Sequence, residues 1–315
     1  MSFTSEVKDE LSRVEGVCSH CDKAVLAALV RIEGTLFVSG RNRYRVEVAT
    51  DVPSVARLVI KLLHELYHSK TALTVRRSVL HKTPNYLIEC PVQPHLAEAL
   101  ADMGVLNAEG GLELGVSRQL IAKDCCAAAY LRGAFLGSGF VSDPRGDFHF
   151  EIIVETQDLA TDICELMERK GINARVMQRR NSYMVYLKSG SAILEFLAVV
   201  GAHASALQME NARVIKSVRN DVNRQINAEV ANQAKASRAS IDQIQAIRVL
   251  LESKGGIDNL PPALQDFIRL RVANPDASLK ELGQLANPPL SKSAVYHRVR
   301  RIEQLAKEAT QQRNA

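Results

Sequence analysis

The feature that most constrains how this 315-residue chain can fold is an internal repeat. Leu26-Ala-Ala-Leu-Val-Arg-Ile-Glu-Gly34 and Leu131-Arg-Gly-Ala-Phe-Leu-Gly-Ser-Gly139 each begin on Leu, end on Gly and hold a small residue at the third position. The stretches downstream of the two copies are parallel as well. After Gly34 the pattern predicts strands at Thr35–Val38 and Tyr44–Ala49, a helix over Pro53–His68, strands at Ala72–Val79 and Asn85–Cys90, and a helix over Gln93–Met103. After Gly139 it predicts a strand at Phe148–Glu155, a helix over Asp158–Lys170, strands at Ala174–Gln178 and Tyr183–Lys188, and a helix over Ser191–Val200. Ala27, Ala28, Gly133 and Ala134 would let the two repeated helices approach closely, and Gly34 and Gly139 read as left-handed C-caps. The expectation is a pseudo-symmetric α+β domain whose repeats occupy residues 1–105 and 106–210.

The remaining third differs in charge. Residues 211–315 hold 17 Lys+Arg against 10 Asp+Glu, whereas the first 210 hold 23 against 25. The basic surplus is therefore confined to the C-terminal third, as expected of a nucleic-acid-binding module joined to something else. The absence of Trp and an aromatic content of 5% argue against stacking platforms for single strands. The longest apolar run, Ala24–Val30, falls far short of a membrane span, and the acidic N-terminus does not read as a signal peptide. The expected location is the cytoplasm, in association with the nucleoid.

Residues 211–236 lack Gly and Pro, are rich in Asn and Arg, and read as a polar helical linker. Residues 237–315 read as an all-α domain with helices at Ile241–Glu252 and Pro261–Val272. A capping box, Ser278-Leu-Lys-Glu281, then starts a short helix to about Ala286. Asn287-Pro-Pro-Leu290 must interrupt it, and Ser291 or Ser293 caps a longer helix with Val295, Val299, Ile302 and Leu305 on one face. Short helix, turn, longer helix is a helix-turn-helix. No acid stands between Leu290 and Arg301. The candidate DNA-binding residues are Ser278, Lys280, Ser291, Lys292, Ser293, Tyr296, His297, Arg298, Arg300 and Arg301, with the cations on phosphates or guanine edges and the others on bases or backbone.

The repeated nine-residue segments resemble the two motifs of the LAGLIDADG homing endonuclease fold. That resemblance places the acid positions at Glu33 and Ser138. Serine cannot replace a carboxylate in an octahedral Mg²⁺ site, so catalysis is expected to be lost, no catalytic residue is assigned, and the protein is read as not an enzyme. With the C-terminal module included, the chain is similar to the WhiA family of bacterial transcription regulators. The matching stretches are MSFTSEVK, Cys125-Cys126, Tyr130-Leu-Arg-Gly-Ala-Phe-Leu136, Gly201-Ala-His203, Val218-Arg-Asn220, Val222-Asn-Arg224, Leu279-Lys-Glu-Leu-Gly283, Ser291-Lys-Ser293 and His297-Arg298. Ala294 stands where Gly is expected. The resemblance implies promoter binding on double-stranded DNA and a role in cell division, chromosome segregation and sporulation-type development. Its implied partners are RNA polymerase holoenzyme and a WhiB-type iron–sulfur protein. The rival readings are a non-catalytic adaptor on the transcription machinery and a residual Mg²⁺ endonuclease pairing Glu33 with a substitute such as Asp143.

Other signals are weaker. His64-Glu-Leu-Tyr-His68 spells a zinc-protease string, but both histidines lie opposite the apolar face of their helix, so it is read as solvated surface. Cys18-Ser-His-Cys21 and Cys125-Cys126 each lie a few residues before a repeated helix, where they could meet around zinc, with His20 as an alternative ligand. Adjacent cysteines are awkward tetrahedral ligands, so packing thiols are preferred and no metal or cofactor is assigned. Gly137-Ser-Gly139 lacks the Lys-Ser/Thr of a phosphate loop and runs from helix to strand, so no nucleotide site is read there.

Overall fold

The computed structural model describes residues 2–40, 42–77, 84–107 and 109–314. They form two compact units, Met1–Lys216 and Ser217–Ala315.

The repeated segments become helices α2 (Ser19–Glu33) and α5 (Asp124–Ser138), packed against each other at the centre of the first unit. Their small residues are required by contact. A Cβ at Gly133 would stand 2.4 Å from the Val25 carbonyl oxygen and 2.8 Å from the Ala28 methyl. The closing glycines correct the sequence reading. Gly34 (φ −82°, ψ 134°) and Gly139 (φ −65°, ψ 140°) are extended rather than left-handed. Each instead turns helix directly into strand so tightly that a Cβ would strike the Val30 or Phe135 carbonyl oxygen, at 2.1 and 2.5 Å. Glycine serves there by lacking volume, not by reaching positive φ.

Each helix leads into a four-stranded antiparallel sheet. In the first repeat β1 (Gly34–Gly40) and β2 (Arg43–Thr50) are followed by α3 (Pro53–Tyr67), β3 (Ala72–Arg77), β4 (Pro84–Cys90) and α4 (Leu96–Asp102). In the second, β5 (Gly139–Val141) and β6 (Phe150–Val154) are followed by α6 (Gln157–Glu168), β7 (Arg175–Arg179), β8 (Ser182–Leu187) and α7 (Gly190–Val200). The strand orders, β1-β2-β4-β3 and β5-β6-β8-β7, are the same arrangement twice. Of the strand expected at Ala72–Val79, Ser78 and Val79 lie outside the described residues. The three-residue β5 escapes sequence reading because it is too short to show a period.

The sheets and helices enclose one core, in which Phe135, Phe150 and Phe196 pack with ring centroids 4.5–5.8 Å apart. A further helix, α1 (Phe3–Leu11), is not among the elements the sequence pattern predicts. It buries Phe3, Val7 and Leu11 at four-residue spacing.

Helix α8 (His203–Lys254) has no break at Ser237, so the expected short helix at Ile241–Glu252 is its final segment. The second unit adds α9 (Pro262–Ala273), α10 (Leu279–Leu285) and α11 (Lys292–Asn314). These pack with Ile247 and Leu250 of α8 around Phe267, Ile268, Leu282, Val295, Val299 and Ile302.

Candidate functional site

Helices α10 and α11 are set by local chemistry. The capping box forms: the Glu281 N–H donates to Ser278 Oγ at 3.3 Å, and the Ser278 N–H donates to Glu281 Oε2 at 2.7 Å. That backbone donor holds the Glu281 carboxyl below the usual carboxylate range. After α10 the chain returns so closely that the Leu290 N–H donates to the Gly283 carbonyl at 2.8 Å. A Cβ at Gly283 would lie 2.4 Å from the Leu290 oxygen, which makes this glycine a requirement of the turn. Ser291 caps α11 by accepting from the Ala294 N–H at 3.2 Å. The loop before α10 is fixed by buried Arg271, 2% exposed, whose guanidinium donates to the Ala277 carbonyl at 2.6 Å.

With Val295, Val299 and Ile302 turned into the core, α11 leaves Lys292, Ser293, Tyr296, His297, Arg300 and Arg301 exposed. Lys280 on α10 is exposed as well, while Ser278 is half-buried. The Arg300 guanidinium lies over the Tyr296 ring at 5.8 Å. Arg298 is set apart from this face, because it is half-buried and lines a groove with Leu270, Leu285 and Pro288. Hydroxyls of Ser278 and Ser291 already accept from the backbone, leaving each a proton to donate.

The two acid positions end the central helices. Glu33 is the last residue of α2 and Ser138 the last of α5. The Ser138 hydroxyl donates to the Ile153 carbonyl at 2.5 Å and accepts from the Ile153 N–H at 3.1 Å, so its polar capacity goes into joining α5 to β6. Near Glu33 acts a residue to which the sequence pattern gave no functional role, although it closes the MSFTSEVK stretch. Lys8 of α1, 8% exposed, donates through Nζ to the Gly137 carbonyl at 2.5 Å. Gly137 in turn abuts Glu33, whose Cγ lies 3.2 Å from where a Cβ would be. Burial raises the Glu33 carboxyl, partly countered by the Lys8 charge, and burial lowers the Lys8 amine against the pull of Asp51 and Glu33. Asp143, the candidate substitute ligand, is paired with Arg145 at 2.6 Å, and the hydrogen bond from that arginine holds its carboxyl at about 2.

At the opposite end of the same helices the two cysteine sets converge. They do not precede the helices, as the sequence suggested: Cys18 is the N-cap of α2, Cys21 lies in its first turn, and Cys125 and Cys126 lie in the first turn of α5. Cys18 Sγ is 3.5 Å from Cys21 Sγ and 3.7 Å from those of Cys125 and Cys126.

Three family models match in succession: the WhiA N-terminal LAGLIDADG-like domain over residues 19–106, the WhiA LAGLIDADG-like domain over 127–219, and the WhiA C-terminal HTH domain over 222–306. The chain belongs to the WhiA family. Among its relatives is a probable cell division protein WhiA of Heliobacterium modesticaldum, 41% identical over 99% of this chain and 98% of the relative. Another, from Desulforamulus reducens and bearing the same description, is 42% identical over 97% of this chain and 95% of the relative. In fold, the chain is similar to the crystal structure of full-length DUF199/WhiA from Thermatoga maritima, with TM-score 0.61, 24% identity, and coverage of 98% of this chain and 99% of that one.

Within this WhiA chain the zinc-protease string is surface, as expected. His64 and His68 are exposed, and His68 is the left-handed C-cap of its helix (φ 51°). Among the described residues no helix is long and apolar enough to cross a membrane.

Proposed function

We propose that this WhiA-family chain is a DNA-binding transcription regulator acting in cell division, whose α11 reads duplex DNA and whose repeat domain no longer cleaves phosphodiesters. The observation that carries the reading is the outward face of α11, where Lys292, Tyr296, His297, Arg300 and Arg301 are exposed on the second helix of a helix-turn-helix, and that helix has no acid in its first turn. Such a helix places its N-terminal side chains at base edges and its cations on phosphates. Lys292, Ser293, Tyr296, His297 and Arg300 are assigned to the groove, and Lys280 and Arg301 to the backbone. Ser278 and Ser291 act as caps that donate a hydroxyl proton to phosphate, and Arg298 as a flanking contact.

Loss of cleavage is supported by the acid end of the repeat helices. Two-metal hydrolysis needs carboxylates from both repeats, whereas here the position in the second repeat is a serine committed to the backbone. The cell-division role is supported by the descriptions of full-length relatives. Chromosome segregation, sporulation-type development, RNA polymerase holoenzyme and a WhiB-type partner belong to the same proposal and are supported by the family resemblance.

The test is retention of sheared genomic DNA by the full chain in Mg²⁺ buffer, with sequencing of retained fragments and of their ends. Intact fragments sharing a short motif are expected. Fragments cut at a fixed position within that motif would refute the non-catalytic reading, and no enrichment at moderate salt would refute sequence reading by α11.

A further inference from the structure

We propose that Cys18, Cys21, Cys125 and Cys126 bind a zinc ion as four thiolates, tying the N-terminus of α2 to that of α5. The first argument is spacing. A tetrahedral ion with Zn–S bonds of about 2.3 Å sets its sulfurs about 3.8 Å apart. Cys18 Sγ lies 3.5, 3.7 and 3.7 Å from the other three, and all four sulfurs fall within 4.8 Å of one another. Two partners at equal distance from one thiol, with a third only slightly nearer, is the arrangement of a shared centre. A disulfide would need one close pair and would leave the other two without a purpose. An iron–sulfur cluster places several metal and sulfide atoms between its thiolates and needs them farther apart than these are.

The second argument is how adjacent cysteines become compatible ligands. Side chains on a helix tilt toward its N-terminus. From the first turn of α5, Cys125 and Cys126 therefore both lean past the helix end, where an ion can sit between them and the Cys18/Cys21 pair. Four thiolates around Zn²⁺ carry two net negative charges, and two helix N-termini offer partial positive charge at that place. The thiol protons leave to solvent on binding, and no electron is transferred.

The site is structural. Four protein ligands leave no open coordination position, and the 15-residue helices put it roughly 20 Å from the acid positions at their other ends. Each repeat contributes two ligands, so the ion would fasten the repeats at the N-terminal ends of their central helices.

The test is elemental analysis of the full-length protein purified without a metal-affinity step and dialysed against a weak chelator. About one zinc per chain is expected, lost in Cys21→Ser and in Cys126→Ser and retained in Cys164→Ser, which lies outside the cluster. Because a ligand variant can fail to fold, Co²⁺ is also exchanged into the unaltered protein. Strong sulfur-to-cobalt charge-transfer bands with tetrahedral visible bands of four-thiolate intensity support the site. Zinc removed by the weak chelator, iron in place of zinc, zinc kept by Cys126→Ser, or a cobalt spectrum without the four-thiolate signature would each overturn the proposal.

Discussion

At the acid end of the α2/α5 pair, charged and polar groups face one another: Lys8 donates to Gly137 beside Glu33, and Ser138 is held by both backbone groups of Ile153. On the outer face of α11, Lys292, Arg300 and Arg301 stand in solvent in a stretch with no acid from Leu290 to Arg301. One region spends its charge inside the protein and the other leaves it available. The two regions differ less in residue type than in whether their polar capacity is already used.

The largest expected effect tests whether the first region is purely architectural. Gly133→Leu must push apart two backbones already in contact, and should destabilise the chain by about 3 kcal/mol or more, seen as a large fall in Tm. A variant with unchanged Tm would show that the helix seam yields. Next, Lys8→Met should lower stability by about 2 kcal/mol, as expected when a hydrogen bond from a charged donor is removed and Glu33 loses its cation. Adding Glu33→Gln should restore part of that loss, and a double-mutant cycle by denaturant titration measures the coupling.

The second region should behave in the opposite way. Arg300→Ala with Arg301→Ala should leave Tm unchanged while flattening the salt dependence of DNA binding by about one unit, for the phosphate contact of Arg301, and relaxing one base position, for the groove contact of Arg300. A fall in Tm with unchanged binding would reverse the contrast. Ser278→Ala removes the cap of α10 and should lower the stability of the second unit by about 1 kcal/mol, read from its unfolding transition.

The smallest effect is one of pH. Burial raises the Glu33 carboxyl, so the folded state binds this proton more tightly than the unfolded state. Its contribution is fully present below the unfolded pKa and is lost as pH rises through the folded value. Glu33→Gln should therefore flatten the stability profile across the mildly acidic range, whereas Glu281→Gln should act with the opposite sign. The Glu281 carboxyl is held low, so its contribution is present above the unfolded pKa and is lost as pH falls through the folded value.

Much of the fold was legible because it is written as pattern. The Leu/Gly-bounded repeats, period-two strands and capping box each encode local geometry, and the helix-turn-helix emerges from Pro288 and Pro289 between two apolar faces. What stayed hidden depends on distant residues. Gly34 and Gly139 satisfy two requirements equally well on paper, and only the nearby Val30 and Phe135 carbonyls show that lack of volume is the one in force. The cysteine sets are more than 100 residues apart, and their convergence depends on how α2 and α5 pair. Helix α1 could have been found from Phe3, Val7 and Leu11, but the meeting of Lys8 with Gly137 could not. The continuity of α8 was obscured by Ser237, a residue that breaks helices only weakly.

Helix α1 also bears on how the chain is made. Thr4 exchanges hydrogen bonds with both backbone groups of Val141, Lys8 reaches Gly137, and the Glu10 carboxylate accepts from the Ala204 and Ser205 N–H groups at the start of α8. Helix α1 therefore closes contacts with segments synthesised 129 to 195 residues later. Until residue 205 has emerged, α1 lacks its full set of polar partners, and before Gly137 is made Lys8 has no carbonyl to hold it beside Glu33. Synthesis runs in one direction, but this domain is completed by its beginning.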